Sequence, residues 1–85
     1  MGMRFTKFFE RDYKKLSDEI RKRLDKQLIF LLENIKHPSL RVKKVKGYYN
    51  VWEGRITKSY RFTFEIKKEI YFARRCGSHS ILNNP

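Results

Sequence analysis

The sequence predicts an α+β fold, a strand and two helices followed by an antiparallel meander, with the helices laid on one face of the sheet. Three observations predict it. Apolar residues recur at three- and four-residue spacing between Ile20 and Ile35, the period changes to two after Pro38, and the links between the later segments are short.

Arg4 to Phe8 alternates polar and apolar side chains, as a short strand with one buried face does. Glu10 to Leu16 is polar with helical character. Ser17 then offers a hydroxyl to the free N–H groups of a new helix, and Asp18 and Glu19 put negative charge in its first turn, where the helix dipole favours it. Ile20, Leu24, Leu28, Leu31, Leu32 and Ile35 form one apolar stripe, and His37-Pro38 ends it because the residue before proline is pushed out of the α region. Lys44–Lys46, Val51–Ile56, Tyr60–Ile66 and Ile70–Gly77 read as strand-like segments. The meander therefore has three strands, or four if Lys44–Lys46 joins it.

Residues 1–85 make one domain, and a chain this short buries only about 60% of the surface it exposes when unfolded. Seven Phe, five Tyr and one Trp must carry much of the packing. A single cysteine, Cys76, permits no internal disulfide. With no membrane span and no apolar leader at its start, the chain is expected in the cytoplasm.

Charge is the strongest compositional signal. Twenty-one Lys and Arg oppose nine Asp and Glu, and of the net +12 only +3 lies in residues 1–35 and +9 in residues 36–85. Such a balance attracts polyanions, nucleic acid foremost. One Cys and two His lack zinc-ligand spacing, and no glycine-rich phosphate loop or serine triad is present, so no metal or cofactor is expected.

Strand parity places the charges. If Phe62, Phe64 and Ile66 face the helices, Arg61, Thr63 and Glu65 face away; if Trp52 and Ile56 pack, Glu53 and Arg55 do not. In the last segment Ile70, Phe72 and Cys76 fall together and Tyr71, Ala73, Arg75 and Gly77 oppose them, with His79 following if the chain stays extended. Val45 packing sends Lys44 and Lys46 to the other side. One face would then present Lys44, Lys46, Glu53, Arg55, Arg61, Arg75 and His79. It is either a polyanion site or simply a solvated face.

The run Gly47…Val51-Trp52-Glu53-Gly54-Arg55-Ile56-Thr57-Lys58-Ser59-Tyr60-Arg61-Phe62-Thr63-Phe64, followed by Cys76-Gly77-Ser78-His79, resembles toxins of the RelE/ParE superfamily, most closely their YoeB and YafQ branches. The likeness spans nearly the whole chain in element order. It implies a RelE-like fold and the toxin of a type II toxin–antitoxin system, a metal-independent endoribonuclease cutting messenger RNA, commonly on the ribosome, and restrained by an acidic antitoxin.

On this resemblance Arg61 and His79 occupy catalytic positions, with Glu53 a third catalytic candidate from its place on the face. Lys44, Lys46, Arg55 and Arg75 are expected to bind RNA. Arginine grips a phosphate with a planar fork, and imidazole exchanges protons near neutrality, which suits His79 as the acid. His37, at a helix exit, reads as structural. Ser80 stands where YoeB-like toxins have a tyrosine, and the additional histidines of YafQ-like toxins are absent. Two alternatives follow: a ParE-like toxin that poisons DNA gyrase, and a catalytically inactive nucleic-acid-binding member.

Overall fold

The computed structural model describes residues 1–85. In chain order the elements are β1 (Gly2–Phe5), α1 (Lys7–Lys15), α2 (Asp18–Glu33), β2 (Lys43–Lys44), β3 (Trp52–Arg55), β4 (Tyr60–Lys67) and β5 (Ile70–Ser78), then a 3₁₀ turn at His79–Asn83. The α+β architecture is the one expected. All four later segments are strands, so with β1 the sheet has five, ordered β1-β5-β4-β3-β2. The meander is antiparallel, while β1 crosses to the far edge and pairs parallel with β5.

Both helices start on the caps their sequences offer. The Thr6 hydroxyl accepts from the Phe9 amide and the Ser17 hydroxyl from the Ile20 amide. Helix α2 stops at Glu33, short of Pro38, with Asn34 as C-cap. Phe9, Leu16, Leu24, Leu28 and Leu31 from the helices meet Phe62, Phe64, Tyr71, Ala73 and Cys76 from the sheet in one core. Gly54 is required there, since a Cβ would stand 2.4 Å from the Phe62 ring. No helix is long and apolar enough to cross a membrane.

Parity on β5 departs from the sequence expectation. A bulge shifts the β4–β5 register between Thr63 and Phe64, so Thr63 faces Arg75 while Phe64 faces Ala73. Arg74 is the extra residue. Tyr71 and Ala73 accordingly join the core at 4% and 1% exposure, whereas Ile70 and Phe72 do not; beyond the bulge Cys76 is buried, as expected. Burial pushes the Cys76 thiol up to about 12.

Where β1 ends, α1 takes over the edge of β5. The Thr6 amide donates to the Ala73 carbonyl, the Thr6 hydroxyl donates to the Arg74 carbonyl, and Asp12 accepts from the Cys76 amide. An edge that would otherwise be bare is thereby satisfied.

Candidate functional site

The sheet face away from the helices is organised in rows set by strand register. Arg55 lies directly across from Arg61, and Arg61 from Gly77. The next row runs Lys43, Glu53, Thr63, Arg75. Arg41, two residues before Lys43, adds its charge to those of Arg55 and Arg61. Three guanidinium groups thus act on one another here, with the Glu53 carboxylate beside Arg61.

Arg61 is tightly held. One terminal nitrogen donates to the carbonyls of Thr57, Lys58 and Tyr60 at 2.7, 2.9 and 2.9 Å, and its Nε stands 3.7 Å from Glu53 Oε1. Both side chains are about nine-tenths buried. Arg55 is less satisfied: its Nε is out of contact with solvent and has no hydrogen-bond partner. Burial first, then the charges of Arg41 and Arg61, hold this guanidinium below the ordinary arginine value. Surplus positive charge and an unpartnered donor are what an anion would satisfy.

The Arg55 main chain is fixed from behind. Gln27, buried on α2, donates to the carbonyls of Arg55 (2.8 Å) and Ser39 (3.1 Å) and accepts from the Ser39 hydroxyl. That hydroxyl shares a 2.9 Å hydrogen bond with His37 Nδ1, and the His37 ring stacks on Phe30 at 3.9 Å. His37 is therefore structural, as its sequence context suggested.

The chain beyond β5 then folds back over this face. Ile81 is buried against Gly77, whose missing side chain makes room for it. The Pro85 main-chain oxygen accepts from the Thr63 hydroxyl and Arg74 Nε, and that of Asn84 accepts from Arg75. Thr63 is consequently fully buried, and Glu53 beside it is only 6% exposed, though both point away from the helices. His79 begins the 3₁₀ turn, so the extended parity on which its placement rested stops at Ser78. Its amide donates to the Ser59 carbonyl, which sets the residue, exposed, beside the β3–β4 turn that holds Arg61.

Of the remaining predicted residues the two lysines fall elsewhere, while Arg75 lies on this face but is engaged. Lys44 lies opposite Trp52, with Nζ 5.5 Å from the indole, and thus on the helix side of the sheet edge. Lys46 is exposed beyond β2. Arg75 donates to Asp12 at 2.6 Å, and this hydrogen bond raises its pKa. Lys43 and Arg41 take the places the sequence assigned to Lys44 and Lys46. Val42 and Val45 both pack, a spacing of three, so alternation through a two-residue strand misassigned the lysines. No three His, Cys, Asp or Glu side chains converge in a way that could hold a metal ion.

Residues 3–82 match the family model described as the ParE toxin of the type II toxin–antitoxin system parDE. Among solved structures, the chain is similar to one in the RelB-RelE antitoxin-toxin complex from Methanococcus jannaschii, at 29% identity and TM-score 0.74 over 95% of both chains. It shares its fold with the YoeB/ParE toxin from Agrobacterium tumefaciens (16% identity, TM-score 0.80, 93% of this chain and 99% of that one). The same holds for the YoeB dimer from Staphylococcus aureus (17% identity, TM-score 0.78, 93% and 97%). A search of curated protein sequences returns no match.

Proposed function

This chain belongs to the ParE toxin family of type II toxin–antitoxin systems, within the RelE/ParE superfamily, and from that premise we propose that it is an endoribonuclease that cuts messenger RNA on the ribosome. One observation carries the reading: Arg55 and Arg61 stand side by side with Arg41 near, one carboxylate beside Arg61 and the Arg55 Nε unpartnered. A scissile phosphodiester supplies the missing acceptor, and the guanidinium groups stabilise the charge that grows on its oxygens as the 2′-oxygen attacks.

His79, exposed next to the turn that holds Arg61, protonates the departing 5′-oxygen. Glu53 is the carboxylate available to accept the 2′-hydroxyl proton, and at 6% exposure it must be uncovered to do so. Lys43 and Lys46, with Lys44 and Arg75 in lesser roles, hold flanking phosphates. An acidic antitoxin restrains the toxin, in keeping with the antitoxin present in the Methanococcus jannaschii complex.

Mapping message ends after adding the purified protein to a translating extract tests this reading. New ends that vanish with Arg61→Lys and His79→Ala support it; unchanged cutting by both variants overturns it. One feature favours a second reading, a toxin that binds gyrase without cutting RNA: Arg61 already spends one nitrogen on three carbonyls and its Nε on Glu53. Trapped DNA breaks in a gyrase assay, with messages intact, would establish that reading instead.

A further inference from the structure

A second cationic surface lies outside the arginine row. Helix α1, the end of β5 and the segment after it enclose an open cleft of about 710 Å³. Five Lys and Arg side chains line it against one carboxylate, Asp12. The two floor arginines are already engaged, Arg75 by Asp12 and Arg74 by Glu65 and Pro85. Lys7, Arg11 and Lys15 on the α1 wall are exposed and have neither a hydrogen-bond acceptor nor a carboxylate.

These three follow one another at four-residue steps, so they form a single stripe with about 6 Å between the points where successive side chains leave the helix. That is close to the separation of neighbouring phosphates along an extended strand. Phe8 lies in the same cleft, 63% exposed, with the Arg11 guanidinium 5.5 Å from its ring centroid. An exposed aromatic ring with a guanidinium over it, beside a row of cations that have no carboxylate partner, offers a single-stranded nucleic acid a surface for its bases and charges for its phosphates.

We infer that this cleft is a second nucleic-acid site: single-stranded RNA runs along α1, with phosphates on Lys7, Arg11 and Lys15 and a base stacked on Phe8. The inference rests on the proposed function only for the identity of the polymer. The far wall of the cleft is Asn84 and Pro85, and the same two residues bind Arg75 and Thr63 of the arginine row's face. An RNA held along α1 is therefore separated from the arginine row by the segment after β5 alone.

A fluorescently labelled 2′-O-methyl oligoribonucleotide, which lacks the attacking hydroxyl and so stays intact, reads binding apart from cleavage. The Lys7→Ala/Arg11→Ala/Lys15→Ala variant should bind it about tenfold more weakly at low salt, and its plot of log affinity against log salt should be shallower by about two. Phe8→Ala should weaken binding about fivefold or more with the slope unchanged. Circular dichroism verifies that both variants remain folded.

Equal affinities and slopes for wild type and the triple variant overturn the inference, as does equal displacement of the oligonucleotide by polyglutamate of matched charge. The two readings fail separately. Binding that depends on α1 without any message cleavage sinks the nuclease and leaves the cleft, whereas cleavage with α1-independent binding does the reverse.

Discussion

The two faces of this sheet come from the same alternation of side chains and end in opposite states. On the helix side the centre of the sheet is closed: Phe62 and Phe64 are fully buried, and Gly54 is bare because the Phe62 ring occupies its side-chain space. On the other side the cover is only the last few residues, and what it covers is polar. Thr63 and Glu53 are buried there, and Arg55 keeps a donor without a partner. Stability is concentrated on the first face and unmet binding capacity on the second.

The largest expected effect tests the first half of that contrast. Phe62→Ala should cost about 3–5 kcal/mol in urea denaturation, because it removes a ring from a closed core and no neighbour can collapse into the space. A cost under about 1 kcal/mol would mean that the helix face is not the stabilising one.

The next tests the second half. Arg61→Lys keeps a cation beside Glu53 but loses the planar fork, so cleavage should fall about a hundredfold or more while the fold persists. If unfolding free energy drops as far as it does for Phe62→Ala, then Arg61 belongs to the scaffold and the contrast fails.

Smaller still is Thr63→Val, which deletes the hydroxyl that donates to Pro85 and should cost about 1 kcal/mol. Its sharper readout is limited proteolysis. Cutting within residues 79–85 should accelerate while cutting in the helices does not.

The last effect shows only as the solution becomes alkaline. Burial raises the folded Cys76 pKa from 9.0 to about 12, so the folded state favours the neutral thiol. That contribution is fully present below about 9 and is lost as pH climbs toward about 12. Iodoacetamide at pH 9 should accordingly modify the folded protein far more slowly than the urea-unfolded one. Equal rates would show the thiol exposed.

The element order and the β3–β4 arrangement were legible because Tyr60 to Ile66 alternates cleanly and its register with Trp52 to Arg55 has no interruption. Arg61, Arg55 and Glu53 were consequently placed on a common face. The bulge at Arg74 was not legible. Arg74 and Arg75 are chemically alike, and the Thr6 and Asp12 contacts that accompany the extra residue come from the other end of the chain. Alternation also could not separate Lys43 from Lys44 in a strand of two residues. The return of residues 79–85 over the face carries no periodic signal at all, since Gly77 and Ile81 meet only through the fold.

The parallel pairing of β1 with β5 reaches beyond the finished molecule. During synthesis, residues 2–16 emerge long before residues 70–78, and in that interval β1 has no neighbour and Phe9 and Leu16 have no Tyr71, Ala73 or Cys76 to bury against. Such sequence-distant closure is slow and comes last. The sheet can be completed only once translation has passed residue 78 and that stretch has cleared the exit tunnel, so until then β1 and the apolar face of α1 wait without the strand they pack on.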